Sequence, residues 1–461
     1  MFIGREAELK FLNDRYASDQ SEFIVLYGRR RVGKTETLKE FAKGKPHVFY
    51  SCRECTDTEQ LQSFSAQMLK AELPAKKYLH AFSDWQQAFE NIAELPMDGK
   101  RLVIIDEFPY AVKNNKSIPS ILQNLWDNLL QQKNIMLILC GSAMSFIEKE
   151  LLAQKNPLYG RATGILKMRE MDFYDAIKFF PHYSPLDKIT AYAILGGIPH
   201  YLKQFQPDKP LAENIKDNIL TRGSVLYSEV EFLMHQEFRE TNIYNTIIEA
   251  IALGNTKMSD ICAKTQIEKT KLSAYLKNLI DLSIIEREFS IDNSIKERAN
   301  VQRGLYRLTD HYFKFWFAFV FANLSELESN DTDGVYEYIV KPELDLFVSK
   351  AFEDVCKSYL RKRNRNHTLP LRFSKIGRWW NKTDEIDIMA IDARNSKLLL
   401  GECKYKNSPT DLGTIQRLMQ KPFSKMNEVY FMLFSKSGFT DEAVRFAEEN
   451  HIELISAENM V

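Results

Sequence analysis

Short, continuous apolar runs alternate with amphipathic stretches through the first third of the chain. The runs occupy residues 23–27, 47–50, 102–105 and 135–140, and the segments between them carry apolar residues at helical spacing. Strands that are buried on both faces appear as continuous apolar runs, because helices cover the sheet on either side. The pattern predicts a three-layer α/β domain with a parallel sheet over residues 1–165.

Helical periodicity replaces these runs over residues 166–240 and is broken at Gly196 to Pro199. We interpret this region as a helical lid that follows the sheet domain. Residues 241–310 then show an order typical of a winged helix, in which three helices precede a β-hairpin. The predicted helices are 244–253, 258–264 and 269–282, and the predicted strands are 284–289 and 305–308.

The remaining chain divides into a connector and a second α/β domain. Residues 312–321 are rich in aromatic side chains that share one helical face, which indicates a buried connector, and the acidic stretch 326–333 is typical of a linker. Residues 340–461 show a helix, a pair of strands, a second helix and a closing strand–helix–strand unit. The predicted domains are therefore 1–165, 166–240, 241–310, 311–339 and 340–461.

The composition is that of a packed globular protein. Of the 461 residues, 44% are apolar and 27% are charged, and 62 Lys and Arg balance 62 Asp and Glu. The balanced charge offers no global attraction to nucleic acid, so any such contact must come from local patches. No apolar run approaches the roughly 20 residues of a membrane span, and the amino terminus lacks a signal-peptide pattern. We therefore expect a cytoplasmic protein with no membrane partner.

A phosphate-binding loop follows the first predicted strand. Residues 28–35 match the pattern G-x-x-x-x-G-K-[ST] between a buried strand and a helix. In such a loop the backbone amides turn inward around the phosphates, Lys34 reaches the β and γ oxygens, and the Thr35 hydroxyl binds Mg²⁺. The predicted ATP ligands in the loop are Gly28, Arg29, Arg30, Arg31, Val32, Gly33, Lys34 and Thr35.

Asp106 and Glu107 end the apolar run at 102–105 and form the second half of the predicted site. We expect Asp106 to enter the Mg²⁺ shell and Glu107 to polarise the attacking water, which favours hydrolysis over nucleotide binding alone. Ser142, at the tip of the next predicted strand, is either a sensor of the γ-phosphate or an ordinary strand end. Arg161 is either an arginine finger toward a neighbouring subunit or a lone surface arginine.

Four segments of the chain carry the motifs of a known family. They are Phe2-Ile-Gly-Arg-Glu6, the loop from Tyr27 to Thr35, Asp106-Glu-Phe-Pro-Tyr110 and Leu195-Gly-Gly-Ile-Pro199. Together they resemble the archaeal-type ATPase family of the AAA+ and STAND group. The resemblance implies that Arg5 lies near the adenine, that Pro199 belongs to the lid, and that ATP drives homo-oligomer assembly or a conformational switch. It also implies a winged helix and a C-terminal nuclease-like domain.

The predicted recognition helix, 269–282, leaves Lys271 and Lys277 for solvent or DNA. The charge of the winged helix gives DNA binding little support, because residues 241–310 hold ten basic and nine acidic residues. Phosphate contacts supply most of the affinity for nucleic acid. DNA binding and a purely structural winged helix both remain open.

Two carboxylates face each other in a predicted hairpin of the last domain. If residues 393–396 form its loop, Asp387 lies opposite Glu402, and Lys404 projects to the same face. Two carboxylates on directly opposed residues of a hairpin repel each other unless a divalent cation lies between them. The hairpin therefore predicts either a costly arrangement or a magnesium site.

With the upstream helical Glu353, these residues resemble the PD-(D/E)xK nuclease motif. The resemblance implies a restriction-endonuclease-like domain in which Glu353, Asp387 and Glu402 bind the metal and Lys404 assists the chemistry. An active nuclease, an inactive module that binds nucleic acid or protein, and an ordinary charged strand face all remain open.

The predicted fold class is α/β, with a P-loop NTPase domain and helical lid followed by a winged helix and a restriction-endonuclease-like domain. Our first functional hypothesis is an ATPase that uses ATP and Mg²⁺ and controls a nuclease-like domain acting on DNA. The alternative is an ATP-driven, oligomerising switch whose C-terminal domain only binds nucleic acid or a protein partner. A third hypothesis, a transcription regulator, requires duplex binding by the nearly neutral winged helix.

Overall fold

The computed structural model describes residues 2–71, 73–96, 98–294, 304–423 and 428–461. The chain divides into two compact units. The first runs to Met171 and includes Ile198–His200, and the second comprises Asp172–Gly197 and Tyr201–Val461. The finer division into five domains stays a prediction.

The first unit is built on a five-stranded parallel sheet. Its strands are β1 Glu22–Tyr27, β2 His47–Ser51, β3 Arg101–Asp106, β4 Ile135–Gly141 and β5 Gly164–Lys167. They lie in the order β2-β3-β4-β1-β5. The helices are α1 Glu6–Tyr16, α2 Lys34–Ala42, α3 Asp57–Lys70, α4 Trp85–Glu90, α5 Pro109–Asn114, α6 Ile118–Asn128 and α7 Met144–Phe146.

Apolar side chains cover both faces of this sheet. Every residue of β1 is buried. Phe23 and Val25 join the core on one face, and Ile24 and Leu26 join the core on the other. The continuous apolar runs predicted β1, β3 and β4 for this reason, and a shorter run predicted the edge strand β2. The predicted parallel sheet is confirmed.

The hydrophobic pattern did not predict β5. This strand has four residues and pairs only with β1 at the edge of the sheet. Its Ile165 is 53% exposed. A short edge strand with a solvent-facing side carries no continuous apolar run, because only part of it enters the core.

The second unit begins with helices from the predicted lid. The helices of the remaining chain are α8 Phe173–Ala176, α9 Pro185–Leu195, α10 Pro199–Leu202, α11 Leu211–Ile215, α12 Val225–Glu237, α13 Thr241–Ala252, α14 Met258–Thr265, α15 Lys269–Asp281, α16 His311–Phe315, α17 Leu324–Glu328, α18 Thr332–Val335, α19 Lys341–Arg365, α20 Leu412–Met419 and α21 Asp441–Glu449. None of the helices in the described ranges has the length and hydropathy needed to cross a membrane.

Helix α9 packs against later parts of the chain. The ring of His311 hydrogen bonds through Nδ1 with the carbonyl of Tyr192 at 3.0 Å, and the hydroxyls of Thr190 and Tyr405 lie 3.4 Å apart. The sequence analysis predicted this helix as part of the lid at 166–240, which follows the sheet domain. The structure groups it with the second unit because its buried face contacts segments that follow more than a hundred residues later.

The winged-helix order predicted for 241–310 is present in the described residues. Helices α13, α14 and α15 are followed by β6 Ile285–Glu288 and β7 Leu305–Leu308, which pair antiparallel. Residues 295–303 lie outside the described chain, and three of the ten basic residues counted above, Lys296, Arg298 and Arg303, are among them. The connector after β7 is buried as expected, with Trp316 1% exposed.

The acidic stretch predicted as a linker is largely helical. Helices α17 and α18 occupy most of residues 324–335. Asp331 caps α18 by accepting a hydrogen bond from the N–H of Gly334 at 2.9 Å. Leu327, in α17, is completely buried, so acidic composition alone misrepresented this segment.

The C-terminal domain contains a five-stranded mixed sheet. Its strands are β8 Lys375–Trp380, β9 Glu385–Asp392, β10 Lys397–Lys404, β11 Glu428–Ser435 and β12 Glu453–Ser456. Their order is β12-β11-β10-β9-β8; β8, β9 and β10 pair antiparallel, and β10, β11 and β12 pair parallel. The pattern did not indicate β8, because a bulge between Gly377 and Trp379 breaks its alternation.

Candidate functional site

The predicted phosphate loop connects β1 to α2 in a conformation that directs backbone N–H groups inward. Arg31 and Gly33 have positive φ angles of 72° and 90°. Alternation of left-handed and right-handed residues makes a concave nest for anions. Gly33 is also the N-cap of α2 and makes no side-chain capping bond. The positive end of α2 and its first N–H groups therefore suit a phosphate.

Lys34 lies almost completely buried beneath this loop, with 6% of its surface exposed. Its ammonium donates hydrogen bonds to the carbonyls of Gly28 and Arg29 at 2.9 and 3.1 Å. Burial lowers the pKa of Lys34, and the nearby acidic groups, including Glu107 and Asp106, oppose that shift. The ammonium is thus held at the loop's inner side.

Asp106, at the end of β3, lies against the start of α2. The Thr35 hydroxyl donates to its Oδ2 at 2.6 Å, and the N–H of Glu107 donates to its Oδ1 at 3.0 Å. Burial and then the charge of Asp106 raise the pKa of the Cys140 thiol, at the end of β4. The two groups predicted to hold Mg²⁺ are therefore adjacent.

Glu107 is held by the strand next to its own. Its Oε2 accepts hydrogen bonds from the N–H of Ser142 at 3.1 Å and from the hydroxyl of Ser142 at 2.8 Å. Glu107 also has a φ of 49°, in the left-handed region that non-glycine residues seldom adopt. The predicted base and the predicted γ-phosphate sensor thus contact each other directly.

Arg5 and Pro199 also lie at the phosphate loop. The guanidinium of Arg5 is 4% exposed and donates to the carbonyl of Val32 at 2.8 Å and to Glu8 at 2.7 Å. Pro199 lies next to Gly33, because a Cβ added to Gly33 would be 3.7 Å from Pro199 Cγ. These contacts place Arg5 against the loop backbone; its contact with the adenine stays a prediction.

Arg30 and Arg161 each have a partner within the first unit. Arg30 donates to the hydroxyl of Tyr110 at 3.5 Å. Arg161 makes a bidentate ion pair with Asp127, with N···O distances of 2.7 to 3.0 Å, and also donates to the carbonyl of Pro157. A finger role for Arg161 would require it to leave Asp127, and that role stays a prediction.

The hairpin register predicted from the four-residue loop is confirmed as far as Ile388 and Gly401, and the pairing of Asp387 with Glu402 stays a prediction. Asp392 pairs with Lys397, and the ladder continues to Ile388 and Gly401. Asp387 comes next on β9, and its Oδ2 accepts a hydrogen bond from the N–H of Cys403 at 2.9 Å. The four-residue loop at 393–396 is sufficient to set this register.

Basic side chains neutralise the carboxylates at this hairpin. Lys404 donates to Glu402, and Arg378 of β8 lies 3.5 Å from Glu353 of α19. Burial and then the charge of Asp387 raise the pKa of Glu353 to about 7, which Arg378 and other cations oppose. Burial and then Asp387 also raise the pKa of Glu402. Acidic groups are thus crowded around Asp387.

The described residues do not bring three metal-binding side chains together at one site. Across the described ranges, no group of three His, Cys, Asp or Glu side chains is positioned to hold a metal. The charge of Asp387 raises the pKa of both Glu353 and Glu402. These three predicted metal ligands nevertheless do not form a group that could hold an ion. Magnesium binding at these three residues stays a prediction.

Comparison with known proteins covers most of the chain. Residues 2–205 match a family described as an ATPase domain predominantly from Archaea, and residues 316–420 match a family described as archaeal and bacterial proteins of unknown function. Over 408 residues the chain is 35% identical to the uncharacterized protein MJECL04 of Methanocaldococcus jannaschii, with 88% of each chain covered. The chain belongs to this archaeal ATPase family.

Two further likenesses fit this family. The uncharacterized ATP-binding protein MJ0423 of Methanocaldococcus jannaschii is 47% identical over 45 residues, which are 10% of this chain and 76% of that protein. The Walker-type ATPase PABY2304 of Pyrococcus abyssi has 22% sequence identity and a TM-score of 0.51, and the likeness covers 68% of this chain and 96% of that one. At this identity the second likeness shows the fold alone.

The structure of this ATPase also shows contacts that sequence analysis missed. Cys140 joins the Asp106 carboxylate, and Arg378 joins Glu353 to Glu288 of β6, with an N···O distance of 3.3 Å to Glu288. The Cys140 position at a strand end beside Asp106 was a usable signal, since β3 and β4 were both predicted. The role of Arg378 had no signal in the sequence, because it depends on a strand that the pattern did not indicate.

The segment after β6 continues onto the edge of the C-terminal sheet. The N–H of Ile291 donates to the carbonyl of Arg378 at 2.9 Å, and the N–H of Trp380 donates to the Ser290 hydroxyl at 3.2 Å. The indole N–H of Trp379 donates to Asp292 at 2.8 Å. Residues 290–292 are therefore part of the packing of the C-terminal domain.

Proposed function

We propose that this chain is a magnesium-dependent ATPase that hydrolyses ATP at Lys34, Thr35, Asp106 and Glu107. One observation carries the proposal. The Thr35 hydroxyl bonds to Asp106 at 2.6 Å, and the neighbouring Glu107 is held by Ser142 at 2.8 Å. A phosphate-binding helix terminus, a pair of cation ligands and a carboxylate base thus lie at the same edge of the sheet.

The protein groups suit a magnesium ion. Mg²⁺ prefers oxygen ligands and retains several waters, so one hydroxyl and one carboxylate suffice from the protein when phosphates supply further oxygens. Thr35 Oγ1 and Asp106 Oδ2 form such a pair. A bound ion would neutralise the charge that develops on the transferring phosphoryl group.

The protein side chains then have separate roles in hydrolysis. Lys34 and the first N–H groups of α2 bind the phosphates and fix the γ-phosphate in place. Glu107 accepts the proton of the attacking water. Ser142 orients that base, because both of its hydrogen bonds end on Oε2 of Glu107 and thereby fix the direction of Oε1.

Replacing the base by its amide tests this assignment. Glu107→Gln keeps the size of the side chain but cannot accept the proton, so kcat should fall by about 10²- to 10⁴-fold while ATP affinity is retained. Glu150→Gln, a change at an exposed glutamate of the same unit, serves as the control. Turnover by Glu107→Gln equal to that of both wild type and the control would refute the proposed role.

For the C-terminal domain we propose action on DNA as a second function. The support is the hairpin register, in which Asp387 and Glu402 are the next residues after the paired Ile388 and Gly401, and Lys404 donates a hydrogen bond to Glu402. These residues resemble the PD-(D/E)xK motif. The carboxylates as placed do not fit a resident metal, since Arg378 and Lys404 already bond to them. This neutralisation favours DNA binding without cleavage, and a metal-dependent nuclease is the alternative.

A plasmid assay separates these two alternatives. Supercoiled DNA is incubated with Mg²⁺ or Mn²⁺ and either Lys34→Ala or Lys34→Ala/Asp387→Ala protein, so that ATP hydrolysis is absent from both samples. A binding module gives a mobility shift without nicking in either sample. Nicking that disappears with Asp387→Ala would instead establish the nuclease.

A further inference from the structure

A long stretch of the C-terminal domain is strongly basic although the whole chain is neutral. Residues 355–383 contain no acidic residue, whereas the complete sequence has 62 basic and 62 acidic residues. The basic residues of this stretch are Lys357, Arg361, Lys362, Arg363, Arg365, Arg372, Lys375, Arg378 and Lys382. A balanced chain that concentrates charge in this way has a local electrostatic surface.

Three of these cations are neutralised inside the fold. Lys357 pairs with Asp354 at 2.7 Å, Arg363 pairs with Glu453 of β12, and Arg378 pairs with Glu288 and Glu353. The other cations are solvent-exposed: Arg361, Lys362, Arg365, Arg372, Lys375 and Lys382. The structural pairs therefore do not account for most of the charge.

The fold brings five of the exposed cations to the same end of the domain. Helix α19 ends at Arg365, and the chain then turns back, because Asn364 exchanges hydrogen bonds with the backbone of Phe373 at 3.2 Å. Ser374 N–H donates to the carbonyl of Ile391 at 2.9 Å, so the start of β8 lies beside the end of β9. Lys382 follows the other end of β8 and is excluded.

The turn between β9 and β10 adds a sixth cation. Asp392, which is buried, accepts hydrogen bonds from the N–H groups of Arg394 and Asn395, and Ile391 just before it accepts one from the N–H of Ser374. The exposed Arg394 therefore lies close to the loop that carries Arg372. We call this set the basic end; its residues are Arg361, Lys362, Arg365, Arg372, Lys375 and Arg394.

Helix stabilisation explains only part of the basic end. Cations in the last turn of a helix offset the negative end of its dipole, and this accounts for Lys362 and Arg365. It does not account for Arg372, Lys375 or Arg394, which lie on the loop, the edge strand and the hairpin turn. Neither helix stabilisation nor an internal ion pair among the described residues therefore explains the placement of these three cations.

The chemistry of the surface favours nucleic-acid phosphate over a membrane. Four of the six residues are arginines, whose planar guanidinium groups match phosphate oxygens. Binding to a lipid surface also requires apolar side chains that enter the bilayer. In the described part of the chain between Leu346 and Met419, no large hydrophobic side chain is exposed.

We propose that the basic end binds the phosphate backbone of duplex DNA and is the principal DNA contact of this chain. The inference deepens the proposed action of the C-terminal domain on DNA and does not depend on ATP hydrolysis. It places the contact on the helix end, edge strand and hairpin turn, and not on the recognition helix α15 of the winged helix.

Fluorescence anisotropy with a labelled DNA duplex tests the location. The full-length triple variant Arg361→Ala/Arg365→Ala/Arg372→Ala is compared with Lys269→Ala/Lys271→Ala/Lys277→Ala, which removes the same charge from α15. Both are made in wild type and in Lys34→Ala protein, and circular dichroism verifies folding. A charge-retaining variant with lysine at the same three arginines separates lost charge from altered packing.

The variant Arg361→Ala/Arg365→Ala/Arg372→Ala should bind DNA at least about tenfold more weakly than wild type. The slope of its log association constant against log salt concentration should be shallower by about 2.7, since each of the three lost phosphate contacts contributes about 0.9. The α15 variant and the lysine variant should keep most of the affinity.

Equal binding by the first variant and wild type overturns the proposal, as does a loss confined to the α15 variant. Binding to vesicles of anionic lipid without binding to DNA also overturns it. Lys34→Ala protein should lose ATPase activity and keep its DNA binding. The two proposals can therefore fail independently of each other.

Discussion

Folding buries the Glu353 carboxyl group near the charge of Asp387, which disfavours its ionised form. It is 7% exposed on α19, and burial followed by the charge of Asp387 raises its pKa to about 7. In the unfolded chain this group titrates at an ordinary glutamate pKa, so the folded state binds the extra proton between these values. Folding stability from this group is therefore lost as pH rises toward 7.

Replacing Glu353 by glutamine should stabilise the protein more at high pH than at low pH. We expect Glu353→Gln to raise Tm by a few degrees relative to wild type at pH 8, because it removes a buried charge, and to give little or no gain at pH 5. Differential scanning calorimetry at both pH values measures this difference. Glu385→Gln, at an exposed position on β9, is the control. A benefit that is larger at pH 5 than at pH 8 would contradict the assigned environment.

The residues proposed for the ATP site could be named from the sequence because each lies in a local motif. Residues 28–35 and the pair Asp106 and Glu107 follow predicted strands, so sequence spacing was sufficient to find them. The bond between Ser142 and Glu107 was not predictable, because it depends on how the ends of β3 and β4 face each other. The same limit applies to Arg378, which meets Glu353 only after distant elements pack.

At the scale of elements, the segment after β6 packs as part of the C-terminal domain. Ile291 is 6% exposed and joins the apolar cluster that contains Trp379 and Ile386. Its N–H also bonds to β8 at 2.9 Å. Ser290 and Ile291 are buried in protein, which counts against insertion of this segment into a DNA groove.

Ile291→Ala should therefore destabilise the protein. Removing a buried isoleucine side chain costs about 2–4 kcal/mol through lost burial and an added cavity. Ile280→Ala, on the exposed side of α15 with 36% exposure, should change stability by less than about 0.5 kcal/mol. Urea unfolding followed by tryptophan fluorescence measures both. Similar small effects for the two variants would mean that the wing does not belong to the C-terminal core.

Hydrophobic pattern identified most elements, and its failures have physical causes. Strands β1 and β4 are buried along their whole length, so continuous apolar runs marked them. In the edge strand β2 the run Val48 to Tyr50 marked the strand although His47 and Ser51 are exposed. Strands β5 and β8 lie at sheet edges; one has an exposed side and the other a bulge, and neither gives a simple periodic signal. Acidic residues suggested a linker at 326–333, where Leu327 instead anchors a short helix in the core.

At the scale of the whole molecule, the proposed account couples ATP binding to assembly. We propose that ATP promotes a homo-oligomer in which Arg161 leaves Asp127 and reaches the nucleotide of a neighbouring subunit. Glu107→Gln protein, which should bind ATP without consuming it, should sediment faster with ATP and Mg²⁺ than without them. Adding Arg161→Ala should reduce that shift, whereas Arg101→Ala should not. Identical sedimentation with and without ATP would contradict the coupling.

The central claim is that the loop at residues 28–35 and the Asp106 carboxylate bind ATP with Mg²⁺. Isothermal titration calorimetry of ATP into Glu107→Gln protein, with and without Mg²⁺, tests it most directly, with Lys34→Ala/Glu107→Gln as the matched variant. We expect one site per chain, tighter binding in Mg²⁺, and at least about 100-fold weaker binding when Lys34 is removed. Absence of ATP binding by folded Glu107→Gln protein, or equal affinity in the two variants, would contradict the account.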